Sequence, residues 1–253
     1  MFILAINVKN VSKSYVSTNK DFTALKNVDL HVNDGEFICF LGPSGCGKST
    51  LLRIISGLEK ADEGEVYDGE NLVTGPSIDR GFIFQQYSLF PWYTVLENVM
   101  FGLNLNNDLS KKENLKLAEE YLESVGLVEF KNSYPHELSG GMKQRVAIIR
   151  SLILNAPILI MDEPFSAIDM LNRHNLQDQL IDIWKEGNST ILFVTHDVDE
   201  AVYLADKIVI MDKNPGRIKT ILEVPLERPR HRESKEFFDF QDEVERNLGV
   251  WES

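Results

Sequence analysis

Gly42-Pro43-Ser44-Gly45-Cys46-Gly47-Lys48-Ser49-Thr50 satisfies the pattern G-x-x-x-x-G-K-[ST] at every fixed position. Its flanks give the pattern meaning. Phe37-Ile38-Cys39-Phe40-Leu41 before it reads as a buried strand. After it, Leu51, Leu52, Ile54, Ile55 and Leu58 recur at helical spacing until Gly57 and Glu59-Lys60 end the run. Strand, glycine loop and helix together make a phosphate-binding loop. The glycines let the backbone curl until successive N–H groups point at phosphate oxygens, and the helix N-terminus adds partial positive charge. In such a loop Lys48 reaches the β- and γ-phosphates and the Ser49 hydroxyl ligates Mg2+. The chain is expected to bind a nucleoside triphosphate here.

Composition limits what else the chain can be. Its 253 residues are 43% hydrophobic, enough for one large domain or one domain with an inserted lobe. A net charge of −13 argues against nucleic acid as the main partner, because phosphate contacts need clustered Lys and Arg. Cys39 and Cys46 have no metal-ligand spacing and suit a reducing compartment. Cys39 reads as a core residue and Cys46 as partly exposed beside the nucleotide. Met1-Phe2-Ile3-Leu4-Ala5-Ile6 is apolar but lacks a basic start, so a first strand is expected there rather than a signal peptide. No apolar stretch nears the roughly 20 residues that cross a bilayer, so a membrane role would come through a partner.

Residues 1–35 read as short strands and turns, with Val8, Val11, Val28, Leu30 and Val32 facing inward and Tyr15 near a strand end. Asp62-Glu63-Gly64 and Asp68-Gly69 are hairpin turn signals around Glu65-Val66-Tyr67. Gly81-Phe82-Ile83-Phe84 is another buried strand, ending at Gln85. From Tyr87 the composition changes. Leu115, Ala118, Leu122 and Val125 share one helical face with Gly126 as the stop, which predicts a helical insertion. Pro135 breaks the chain before Leu138-Ser139-Gly140-Gly141-Met142-Lys143-Gln144-Arg145, after which Val146, Ile149 and Ile153 mark a helix. Ile158-Leu159-Ile160-Met161 is a strand with Asp162 and Glu163 at its end. A helix around residues 170–185 leads to Ile191-Leu192-Phe193-Val194-Thr195, which ends at His196, and Ile208-Val209-Ile210-Met211 is a last strand. Beyond Arg228 the chain is charge-rich, and Phe237, Phe238 and Phe240 suggest a terminal helix. Strands alternating with helices predict an α/β fold with a mostly parallel sheet flanked by helices.

Four polar landmarks stand at the carboxyl ends of these strands: the phosphate loop, Gln85, Asp162-Glu163 and His196. Ligands of open α/β sheets bind outside those ends, so the four are expected to converge. Triphosphate hydrolysis needs charge neutralisation and an aligned water more than covalent help. Asp162 suits the magnesium shell, and Glu163 is placed to orient or deprotonate the water. Gln85 can touch both metal and water, and His196 can hydrogen-bond the γ-phosphate. Ser139-Gly140-Gly141 opens a helix and reads either as a glycine-rich turn with a serine cap or as a second anion site.

Leu138-Ser139-Gly140-Gly141-Met142 with Gln144-Arg145 closely resembles the signature of ATP-binding-cassette (ABC) ATPases. Gln85 resembles that family's Q-loop, Ile158–Asp162 its Walker B strand, Glu163 its catalytic glutamate and His196 its switch histidine. Tyr15 matches the aromatic that stacks on adenine. Ser166-Ala167-Ile168-Asp169 resembles the D-loop, with Ile168 where leucine is usual. The resemblance runs from about Val8 to Ile218. It implies a P-loop NTPase fold with an antiparallel β subdomain and an inserted helical subdomain at about 87–155. The ATPase domain would span 1–227, leaving 228–253 as a charged tail or helix. It also implies ATP and Mg2+ as cofactors, and a head-to-tail dimer in which Ser139, Gly140, Gly141 and Asp169 serve the partner's nucleotide.

Phe90-Pro91-Trp92, Thr94-Val95-Leu96-Glu97-Asn98-Val99, Pro215-Gly216-Arg217-Ile218 and Arg228-Pro229-Arg230 resemble the nitrate/sulfonate/taurine class of importer ATPases. That resemblance implies a peripheral subunit on the cytoplasmic face of the membrane. Its partners would be an integral permease and, indirectly, an extracytoplasmic solute-binding protein. The alternative is a soluble cassette for iron–sulfur or other cofactor assembly, which would share every ATP residue. A DNA-repair cassette would need a long coiled coil or a zinc insertion.

Overall fold

Phe37 through Leu41 are buried at every position, which a strand allows only when both its faces are covered. A computed structural model describes residues 6–16, 21–85, 88–104, 110–187 and 189–249. Its strands are β1 (Ile6–Tyr15), β2 (Phe22–Val32), β3 (Phe37–Leu41), β4 (Glu63–Asp68), β5 (Asn71–Leu72), β6 (Arg80–Ile83), β7 (Ile158–Asp162), β8 (Thr190–Val194), β9 (Lys207–Asp212) and β10 (Arg217–Glu223). Its helices are α1 (Lys48–Ser56), α2 (Val95–Leu103), α3 (Lys111–Ser124), α4 (Gly140–Leu152), α5 (Met170–Gly187), α6 (Val198–Leu204) and α7 (Lys235–Leu248). Residues 1–5, the Tyr87 boundary of the insertion and the last four residues lie outside the described set.

One sheet runs β10-β9-β3-β8-β7-β6, parallel except for the antiparallel β9–β10 pair. A second, antiparallel sheet runs β2-β1-β4-β5. The pleat sorts the parallel strands between two cores. Phe37, Cys39, Met161, Phe193 and Ile208 face the helices, whereas Ile38, Phe40, Ile160, Leu192 and Val209 face α1 and the antiparallel sheet.

Residues 1–35 depart from the short strands expected. β1 and β2 span 10 and 11 residues and pair along their length. Val8 and Val11 are three apart, yet both are buried; a register shift between them, with Asn10 at φ 50°, returns the strand to the same face. Glu63 and Gly64 lie within β4 and not in a turn. β10 is a further edge strand, hidden from periodicity because Thr220 takes a half-buried place and Ile221 an exposed one, so its apolar residues do not alternate. Leu115 is 38% exposed, so the buried α3 face is carried by Ala118 and Leu122. In α7, Phe237 and Phe240 are buried while Phe238 faces solvent.

In the helical lobe, Thr94 and Glu97 form a capping box on α2, and Ser110 and Glu113 form one on α3. Fully buried Asn98 accepts from Phe90 N and donates to Phe90 O, Tyr93 O and Thr94 O, fixing the Phe90–Tyr93 turn. The C-terminal segment is docked. Arg230 is nearly buried and donates to the carbonyls of Val202, Tyr203 and Ala205 at the end of α6. Burial pushes its guanidinium down to about 10.

Arg80 on β6 joins the two sheets. Its guanidinium bonds Asp68 of β4 at 2.7 Å and the Gly75 carbonyl at 2.8 Å, and both charged side chains are largely out of solvent. Removing the cation strands the carboxylate. Arg80→Ala should cost about 3 kcal/mol in urea unfolding at neutral pH; a change below about 0.5 kcal/mol would deny the pair this role.

Candidate active site

The carboxyl ends of β3, β6, β7 and β8 border a cleft of about 550 Å3. Ser44 to Thr50, Gln85, Glu163, His196 and Tyr15 line it. The loop turns into α1 at Gly47, the cap residue, at φ 96°. A Cβ at Gly47 would stand 2.6 Å from Leu25 Cδ2 and 2.7 Å from Ala24 O, so β2 presses against the loop. Lys48 is almost buried, and its ammonium donates to Gly42 O at 2.7 Å and Pro43 O at 3.3 Å. Its charge therefore sits inside the curl of the loop.

Across the cleft floor, Ser49 Oγ donates to Asp162 Oδ1 at 3.0 Å, joining α1 to the end of β7. Burial holds the Asp162 carboxyl above its usual range, against the Ser49 hydrogen bond, which lowers it. Glu163 follows at φ 48°, a left-handed conformation that costs a non-glycine residue about 1 kcal/mol or more. Its N–H still bonds Val194 O at 3.0 Å, so the turn is anchored to β8. Gln85 Nε2 donates to Glu163 Oε2 at 3.0 Å, and His196 Nδ1 lies 3.7 Å from the same oxygen. Groups from two other strand ends thus meet at the Glu163 carboxylate.

The Ser49–Asp162 pair is the part of the cleft that suits a metal. Among the described residues no group of three or more His, Cys, Asp or Glu could hold one. A hydroxyl and a carboxylate, with the Gln85 amide oxygen as a third hard donor, fit Mg2+, which usually keeps waters and substrate phosphates in its shell.

At the outer end, Tyr15 donates its hydroxyl to Glu59 Oε1 at 2.7 Å while its ring stays partly exposed. Phe22, opposite Tyr15 in the β1–β2 register, lines the same end with Ala24. Sequence reasoning missed both, since only strand pairing brings them to the cleft. Cys46 lines the loop but is fully buried, which corrects the expected exposure of its thiol.

Ser139, Gly140, Gly141 and Asp169 do not line the cleft. The Ser139 hydroxyl caps α4, accepting from Met142 N at 3.3 Å. Asp169 caps α5, accepting from Asn172 Nδ2 at 2.7 Å and from Asn172 N at 3.1 Å, and these bonds, the side-chain one foremost, lower its pKa. The two segments are neighbours: a Cβ at Gly141 would lie 3.5 Å from Ala167 O.

Residues 25–166 match the family described as "ABC transporter". The nitrate import ATP-binding protein NrtD of Synechocystis sp. is 45% identical, over 94% of this chain and 93% of its own. The aliphatic sulfonates import ATP-binding protein SsuB of Bacillus cereus is 43% identical, over 95% and 94%. The dimeric post-hydrolysis structure of the ATP-binding cassette MJ0796, bound to ADP and Pi, is similar at a TM-score of 0.79 and 36% identity, covering 88% of this chain and 100% of that one.

The loop's conformation separates two glycines. Gly47→Ala meets backbone and side chain as well as unfavourable φ, whereas at Gly45, φ 78°, a Cβ has nothing within 4 Å. Gly47→Ala should lose nucleotide binding in calorimetry together with stability, and Gly45→Ala should cost only about 1 kcal/mol of backbone strain. Equal losses would contradict the packing of β2 on the loop.

Proposed function

This chain belongs to the ABC transporter family of ATP-hydrolysing cassettes, and from that premise we propose that it powers an importer for a small anion. The observation that carries the reading is the convergence on one cleft of Lys48, of Ser49 with the buried Asp162 bonded behind it, and of the Gln85–Glu163 pair. In this reading the Gly42–Thr50 backbone and Lys48 cradle the triphosphate, and Tyr15 stacks on adenine. Ser49, Asp162 and Gln85 would hold Mg2+, which neutralises charge on the β- and γ-phosphate oxygens. Glu163, steadied by Gln85, orients the attacking water and takes its proton. His196 hydrogen-bonds the γ-phosphate and helps hold the water.

Ser139, Gly140, Gly141 and Asp169 fall outside this cleft, as expected of groups that act on a second copy. Paired head to tail, the N-terminus of α4 would close over the partner's γ-phosphate. ATP then binds the closed pair better than the open one, and that difference is what can drive a conformational change. The dimeric structure of the similar cassette supports the pairing.

Among the described residues no helix is long and apolar enough to cross a membrane, so transport requires a separate permease. Trp92, 66% exposed, stands on the turn fixed by Asn98 and packs with Phe90 and Tyr93, which in turn pack on Phe101. This rigid aromatic knob offers the permease an anchor on the cytoplasmic face. The names of the relatives, nitrate and aliphatic sulfonates, support an anion such as nitrate, a sulfonate or taurine. The solute would be delivered to the permease by an external binding protein.

Glu163→Gln should keep ATP binding, trap the closed dimer in gel filtration and lower kcat roughly 10²–10⁴-fold. Normal turnover in that variant would remove Glu163 from its role. Purification from detergent-solubilised membranes should bring down a hydrophobic permease; recovery with a soluble scaffold alone would instead favour cofactor assembly.

A further inference from the structure

His196 stands on a short turn held from below. The Thr195 hydroxyl accepts from Asp197 N at 3.0 Å and donates to Glu200 Oε2 at 2.6 Å, closing the turn and tying it to a buried carboxylate. The other oxygen of Glu200 accepts from Gln177 Nε2 at 3.2 Å. Gln177, fully buried on α5, accepts at Oε1 from the Arg232 guanidinium. The chain has a direction. Arginine can only donate and a carboxylate only accept, so the Gln177 amide must turn its oxygen to Arg232 and its nitrogen to Glu200. Arg173 serves the same carboxylate differently. It lies 3.6 Å from Glu200 Oε1 and 3.3 Å from Asp197 Oδ2, supplying charge rather than setting the amide.

Arg232 is itself fixed. Its Nε donates to Asp199 Oδ1 at 2.9 Å, and its guanidinium lies over the Tyr203 ring, 3.4 Å from the centroid. Gln241 of α7 bonds the second Asp199 oxygen at 3.4 Å. Two residues earlier Arg230 holds the last carbonyls of α6. A helix of seven residues has little stability of its own. The C-terminal segment therefore grips α6 at both ends, and α6 begins two residues after His196.

We propose that Arg232 is a positioning residue for His196, acting through Gln177, Glu200 and Thr195, so that the C-terminal segment sets turnover in a cleft it does not touch. The inference rests on the role given to His196 above. Without the Arg232 donor the buried Gln177 oxygen is left unpartnered, so the amide and the Glu200 carboxylate it holds lose their fixed positions. The imidazole would then sample orientations that miss the γ-phosphate, which slows the chemical step without weakening ATP binding.

The test is steady-state ATP hydrolysis by the full-length protein with Arg232→Ala, Arg232→Lys, Thr195→Val and His196→Ala, singly and combined. Arg232→Ala and Thr195→Val should each lower kcat about five- to tenfold, the kinetic equivalent of one lost hydrogen bond, with KM for ATP unchanged. Arg232→Lys should recover part of the rate, because an ammonium reaches one acceptor but cannot fork between two. In a His196→Ala background neither substitution should slow the enzyme further. A merely structural clamp would give losses that add to that of His196→Ala, and such additivity overturns the proposal. Wild-type kcat in Arg232→Ala beside a slow His196→Ala overturns this inference alone. Wild-type kcat in His196→Ala overturns the reading of the histidine and this inference with it.

Discussion

Complete burial of the three inner parallel strands, β3, β8 and β7, is the constraint on which the rest of the molecule depends. β3, β7 and β8 are covered on both faces, so no polar side chain can leave them until the strand ends. The polar groups of the site are therefore forced to one edge of the sheet. Phosphate loop, Gln85, Asp162, Glu163 and His196 meet there because the strands that deliver them are neighbours in the order β3-β8-β7-β6.

Left-handed residues shape that same edge. Gly47 and Glu163 both adopt left-handed backbone conformations, one where the loop enters α1 and the other where β7 stops. Glycine takes such a conformation without a steric penalty, and the glutamate is held in it by its hydrogen bond to β8 and by Gln85. A carboxylate fixed at the edge of a low-dielectric core is suited to act on a water, since it needs little reorganisation during reaction.

The antiparallel sheet and the helical lobe are attached to this edge by specific polar contacts as well as apolar packing. Arg80 with Asp68 secures one and Asn98 with the Phe90–Tyr93 turn shapes the other. Asn98 has its bonds satisfied by neighbouring backbone, and Arg80 divides its guanidinium between Asp68 and the Gly75 carbonyl, so each orients the segments it joins. The C-terminal arginines extend the same device to α6.

The phosphate loop, the buried runs and the polar residues ending them are local patterns, so the sequence alone determined the fold class and the residues that could share a cleft. Continuous apolar runs have one reading when their ends carry glycine, carboxylate or histidine. Long-range pairing was not legible. The bulge that lets Val8 and Val11 share a face, the edge strand Arg217–Glu223, the burial of Cys46 and the exposure of Leu115 and Phe238 all follow from which surface each element meets. Phe22 reaches the cleft only through its register with Tyr15, and Gln177, Glu200 and Arg232 form a chain only because α5, α6 and the tail pack together. Tertiary structure alone decided these. A hydrogen bond's partner is fixed by where two backbones come to rest, and residues 55 positions apart carry no local mark of it.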